Sequence, residues 1–133
     1  MTRRLFSVVA ALQVGLWACD SGLPRTYRKV IVPEVKLAST EAQSRGKVLF
    51  VAHCALCHGE LADGRGPRRN LSIQPADFTD PAWRARVTPK RVFYVVREGI
   101  RGTPMPAWKA LSEDETWDLV SYVLSVAEQG PLD

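Results

Sequence analysis

Cysteine, histidine and methionine are scarce in this chain: three, two and two among 133 residues. Three cysteines are too few for a disulfide-stapled scaffold. A structural zinc site wants four ligands at separated spacing, and no such set is spelled out. No apolar run reaches the roughly 20 residues that a spanning helix needs. Strand-rich segments, internal repeats and low-complexity blocks are absent too. What is left is one small all-α domain with very few chemically distinctive side chains.

Those few are concentrated. "VAHCALCHG" holds both histidines, His53 and His58, and two of the three cysteines, Cys54 and Cys57. Three chemistries use such groups: a redox dithiol, a zinc site and a covalently attached haem.

The N-terminus bears on which of them is available. Arg3 and Arg4 precede an apolar run from Leu5 to Trp17, which ends in "LWAC". A basic start, a short apolar stretch and a break with small residues form an export signal, expected over 1–18. "LWAC" resembles the lipobox of bacterial lipoproteins, which implies that Cys19 becomes the mature N-terminus and carries lipid. Ordinary cleavage nearby, with Cys19 left as a free thiol, is the alternative. Acyl chains would anchor the protein without a spanning helix. Cleavage before Cys19 removes two arginines and leaves 16 Lys/Arg against 14 Asp/Glu. The formal charge of +4 therefore owes much to the signal, and no nucleic-acid-binding motif is present.

Residues 19–38 contain two prolines and no sustained helical period, and are expected to be a tether, with "KVIV" as a short strand. Helices begin beyond it. Thr40 and Gln43 fit a capping box, followed by Ala42, Gly46, Leu49, Phe50 and His53 at helical spacing. Thr88-Pro89 opens a second helix, with proline where its missing N–H costs nothing; Val92, Phe93, Val95 and Val96 follow, and Gly99 stops it. Ser112 with Glu115 caps a third, carrying Trp117, Val120, Val123, Leu124 and Ala127, with Gly130-Pro131 as its end. Asp80-Pro81 opens one short extra turn. The long loops 59–79 and 100–111 leave a small core for so much chain. A haem would fill the centre.

Cys-x-x-Cys-His is the attachment motif for c-type haem. Cys54 and Cys57 lie one helical turn apart, so both sulfurs can reach one edge of a macrocycle and form thioethers. His58 follows directly and can bind the iron from the same side. A dithiol of the thioredoxin type wants a βαβ context, which is missing. For the opposite side of the iron, Met105 is the sole methionine left once Met1 leaves with the signal. Prolines 104 and 106 bracket it, hold the backbone extended and suit a loop that presents a sulfur. His/Met ligation raises the reduction potential. His53, on the His58 side, is placed for a haem-edge role.

From about residue 40 to 127 the chain resembles a bacterial class I cytochrome c. "RGKVLFVAHCALCHG" resembles that family's first helix and "WDLVSYVLS" its last, which implies that Gly46 and Phe50 meet Trp117 and Tyr122. "DGRGP" resembles the loop whose proline carbonyl, here Pro67, accepts the His58 N–H. "PADFTDPAW" and "GTPMPAW" are more similar to cytochrome subunits of respiratory complexes than to the mitochondrial carrier. The resemblance implies an all-α cytochrome c fold over 39–133, three to four short helices and long loops wrapped around one haem c. Candidate propionate partners are to be sought among Arg69, Trp83 and Trp108.

Charge is uneven along the chain. Residues 65–101 carry nine Lys/Arg against Asp77, Asp80 and Glu98, whereas residues 102–133 carry Lys109 against six acids. A basic side around Arg65, Arg68 and Arg69 would steer towards an acidic redox partner. The expected function is electron transfer by a lipid-anchored monohaem cytochrome on the periplasmic face of the membrane, between respiratory-chain proteins. No nucleic acid and no small-molecule substrate are expected. A haem c subunit fixed in a respiratory complex is the nearest alternative, and a haem enzyme or gas sensor a more distant one. Covalent attachment has a direct check: acid–acetone treatment should leave the haem on the polypeptide, and Cys54→Ala with Cys57→Ala should leave none.

Overall fold

Gly46 is where the two longest helices touch. The computed structural model describes residues 22–129, so the expected signal (1–18), Cys19 and the Gly130-Pro131 stop lie outside the described residues. Within that range the elements are α1 (Arg25–Arg28), α2 (Glu34–Leu37), α3 (Thr40–His53), α4 (Ala55–His58), α5 (Pro81–Arg86), α6 (Pro89–Glu98) and α7 (Glu113–Gln129), with no strand among the described residues. A Cβ at Gly46 would stand 2.0 Å from the Asp118 carbonyl oxygen and 2.8 Å from the Tyr122 Cβ. Only a bare Cα lets α3 and α7 cross so closely. Phe50, one turn on and fully buried, packs its ring 5.2 Å from that of Tyr122. Full burial of such a ring contributes about 1.5–3 kcal/mol.

Trp117 points elsewhere than the resemblance implied. Its ring stacks on Phe93 of α6 at 4.4 Å, so it joins α7 to α6 rather than to α3. Each helix start has its own chemical reason. Ser112 Oγ accepts from the Glu115 N–H while a Glu115 carboxylate oxygen accepts from the Ser112 N–H, the reciprocal pair expected. Thr88 and Asp80 cap α6 and α5 ahead of their prolines. At α3 the cap is Ser39, one residue earlier than expected. Its hydroxyl accepts from Ala42 N–H, and the Gln43 amide turns back to the Leu37 carbonyl instead. Ser39 is extended and Thr40 already helical, which is why the cap shifts.

The stretch expected to be a tether is packed on the domain from Leu23 onward. Leu23 is buried, and Tyr27, Val30, Val32 and Leu37 lie against the core. The "KVIV" segment forms no strand; it links α1 to α2. The Ser121 hydroxyl donates to the Leu37 carbonyl at 2.9 Å. Asp118, 3% exposed, ties three helices together. It accepts from Arg45 through two nitrogens at 2.8 and 2.9 Å and from Lys36 Nζ at 2.9 Å.

Burial alone would raise the Asp118 carboxyl; the hydrogen bonds from Arg45 and Lys36 outweigh it and hold it below the usual range. A depressed carboxylate adds stability that is complete above its unfolded value, near 3.9, and fades as pH falls through the folded value. Asp118→Asn should therefore cost about 1–3 kcal/mol at neutral pH, from imperfectly met buried groups. It should also flatten the loss of stability below about pH 4. Gly46→Ala should cost about 3 kcal/mol through the backbone clash. Urea unfolding followed by circular dichroism, repeated across pH, reads all three effects.

Candidate haem-binding site

The backbone turns sharply where α3 meets the cysteine motif. Cys54 caps α3, its N–H on the Phe50 carbonyl, and its own carbonyl accepts from the amides of Cys57 and His58 at 3.1 and 2.9 Å. That short turn, α4, places Cys54, Cys57 and His58 along one wall of a cavity. The remaining walls come from Phe78 and Trp83, from Val92, Val95 and Val96 of α6, from Leu119 and Val123 of α7, and from Thr103 to Pro106 with Trp108. The cavity volume is about 530 Å³, within the range of about 300–1,000 Å³ typical of ligand and cofactor sites.

Loop 59–79 folds back over α4. The Gly64, Gly66 and Arg68 amides donate to the carbonyls of His58, Cys57 and Leu56 at 2.8, 3.1 and 3.0 Å. This pairing carries Pro67 along the outside of α4, where it is exposed. Pro67 is therefore not the partner of His58. The Ala76 carbonyl, 3.1 Å from His58 Nδ1, takes that place. A carbonyl can only accept, so Nδ1 carries the proton and Nε2 keeps its lone pair for a metal. Burial pushes the His58 imidazole below its ordinary value, against the opposing pull of the Ala76 carbonyl, so it is neutral and competent as a ligand. Phe78 stacks on the ring at 4.6 Å and 17°, and its own amide is fixed to the Ala62 carbonyl at 2.8 Å.

Met105 lines the same cavity, half-buried. Its loop is held from beneath. The Ile100 N–H donates to the Met105 carbonyl at 3.1 Å, and the Met105 N–H to the Thr103 hydroxyl at 3.2 Å. Gly99, at φ +68°, lies so close that a Cβ would meet the Met105 carbonyl oxygen at 2.7 Å and Pro106 at 2.8 Å. Only glycine combines that φ with that proximity.

The donor set suits a covalently attached haem. Cys54 and Cys57 are free thiols on one wall, and burial pushes the Cys54 thiol up to about 12. Among the described residues, no group of three or more His, Cys, Asp or Glu is placed to hold a metal ion by itself. A nitrogen from His58, a thioether from Met105 and a predominantly apolar lining match an iron macrocycle.

Cations at the rim differ from those expected. Trp83 and Trp108 line the cavity, but Arg69 does not. Arg68, Arg86 and Arg91 do, all exposed. Arg91 lies 5.5 Å from the Tyr94 ring, and none of the three has an ion pair among the described residues. His53 sits at the edge, its ring 5.0 Å from Trp108. The acidic C-terminal part is partly neutralised in the fold: Asp114 and Asp118 pair with Lys36, and Glu128 with Arg84.

Residues 41–123 match the family model described as cytochrome C oxidase, cbb3-type, subunit III. Over 69 residues, 52% of the chain, the sequence is 35% identical to the cbb3-type cytochrome c oxidase subunit FixP of Azorhizobium caulinodans. The matched stretch is 22% of that relative's length, so the chain corresponds to a minor part of it.

Proposed function

The chain belongs to the family of cytochrome c oxidase, cbb3-type, subunit III, and on that premise we propose that it is a lipid-anchored electron-transfer module of a respiratory chain, on the periplasmic face of the membrane. Haem c is its cofactor, and when bound it supplies a one-electron iron couple. Cys54 and Cys57 would hold it through thioethers, and His58 Nε2 and the Met105 sulfur would bind its iron. Cys19 carries the lipid.

The single observation behind this reading is the convergence of Cys54, Cys57, His58 and Met105 on one apolar cavity. The chain's own groups then have definite tasks. Ala76 fixes the tautomer of His58 through its carbonyl. Gly99 and Thr103 brace the Met105 loop. Arg68, Arg86 and Arg91 offer positive charge to the carboxylates of the haem edge, in place of Arg69. The same exposed arginines favour an acidic redox partner. If His58 and Met105 both hold the iron, a small molecule would have to displace one of them, which would favour a carrier over a haem enzyme or gas sensor.

Reduced wild-type protein should accordingly bind carbon monoxide slowly or not at all near neutral pH. Met105→Ala should bind it readily, and its reduction potential should fall, because the thioether favours the ferrous state. A fall exceeding about 59 mV, a tenfold change for one electron, is expected. Rapid binding by the wild type would move the assignment to an enzyme or sensor. The likeness to FixP favours a second reading, a subunit held in an oxidase rather than a free carrier. Purification in mild detergent separates the two: a fixed subunit should elute with other oxidase subunits at constant stoichiometry, and a free carrier alone.

A further inference from the structure

Residues 22–38 press one side against the domain and leave the other bare. Tyr27 and Lys36 fix the arm, the first through its hydroxyl to Glu98 at 2.6 Å and the second through Asp118 at 2.9 Å. The outer side carries Arg25, Arg28 and Lys29, all exposed and without an ion pair among the described residues. Beside them Ile31 and Val35 are 86% and 89% exposed, more than any other large apolar side chain described. The acids nearby are Glu34 on the arm, Glu113 and Asp114 across the shallow groove that Ile31 lines, with Asp114 paired to Lys36, and Glu98 beside Tyr27, paired to Lys109.

The arm's position on the domain matters as much as its composition. The cavity uses Val92, Val95 and Val96 of α6 and Leu119 and Val123 of α7. The arm meets Phe93 and Tyr94 on α6 and Asp118 and Ser121 on α7. At 3.6 residues per turn these sets lie on roughly opposite sides of each helix. The arm is thus on the back of the two-helix wall that closes the cavity.

We infer that the outer side of this arm is a membrane-docking surface for an anionic bilayer, and that its contact turns the cavity mouth away from the membrane. The inference rests on the proposed anchor, because Cys19 precedes Arg25 by only a few residues and would hold this face at the lipid surface. Basic side chains are attracted to an anionic surface within about a Debye length of it. Ile31 and Val35 add apolar area at the depth of the headgroups, which supplements an acyl anchor in the way a second membrane signal does. The mouth, marked by the exposed Leu56, Ile73 and Ile100, is left to a protein partner arriving from the aqueous side.

The test uses full-length, lipidated, haem-loaded protein in vesicles containing phosphatidylglycerol. With Cys19 acylated and Cys54 and Cys57 in thioethers, Val35→Cys provides a single thiol for a nitroxide label, and Ile73→Cys a control at the mouth. Electron paramagnetic resonance power saturation, run on reduced protein with oxygen and a water-soluble nickel chelate, reads the depth of each label. The label at 35 should be several-fold less accessible to nickel than the label at 73. Arg25→Gln, Arg28→Gln and Lys29→Gln together should return it to water while the protein stays on the vesicle. Vesicle-bound protein with both labels equally accessible would overturn the docking surface and leave the anchor standing. Protein that does not associate with vesicles would overturn both.

Discussion

The crossing of α3 and α7 at Gly46 governs the geometry of everything described above. Because the glycine has no side chain, the Asp118 carbonyl and the Tyr122 Cβ come within a distance that any other residue would forbid. Two consequences run along α3 from that point. Phe50 is drawn into full burial against Tyr122. The end of α3, with Cys54, Cys57 and His58 directly after it, is brought to the same cavity as Leu119 and Val123 of α7. A helix contact of one residue's width thus sets the distance between the attachment motif and the opposite wall.

Around that crossing the domain is built as a thin shell. Much of what would be core in another protein of this length is cavity lining, supplied by loops as much as by helices. Those loops are held by backbone hydrogen bonds more than by packing. Loop 59–79 is paired to the carbonyls of α4 and delivers the Ala76 carbonyl to His58, while the Met105 loop rests on Gly99 and on the Thr103 hydroxyl. These bonds fix the backbone around His58 and Met105, both of which line the one cavity. A bound haem would fill this space, joined covalently to Cys54 and Cys57 alone and held from the Met105 loop by iron coordination, so cofactor and fold would stabilise each other.

The arm and the mouth both carry cations without an ion pair among the described residues. Arg68, Arg86 and Arg91 stand free at the mouth, whereas Lys36 and Arg45 are spent on Asp118 inside the fold. Counting charge along the chain exaggerated the contrast between its basic and acidic stretches, because folding pairs Asp114, Asp118 and Glu128 with cations from other elements. Cations without an ion pair among the described residues include Arg68, Arg86 and Arg91 at the cavity rim and Arg25, Arg28 and Lys29 on the arm, with Lys47, Arg65, Arg69, Lys90, Arg97 and Arg101 elsewhere.

Local chemistry was legible residue by residue. The capping pair Ser112/Glu115, the prolines opening α5 and α6 and the Cys54-Cys57-His58 turn depend only on near neighbours, and each stands as the spacing implied. Met105 stood out because the chain has so few candidate ligands, and it lines the cavity. Contacts across the fold were a different matter. The choice of Ala76 over Pro67 depends on where a loop's backbone comes to rest, and any residue type can supply a carbonyl. Trp117 was recognisable as a buried aromatic, but whether it meets α3 or α6 depends on the rotation of α7, which the Gly46 crossing sets. Residues 22–38 lacked a helical period because their helices are single turns held from outside, by Tyr27 on Glu98 and Lys36 on Asp118. Neighbour-to-neighbour energetics can be read from one strand of text; which side of a helix faces which partner exists only once the distant residues have met.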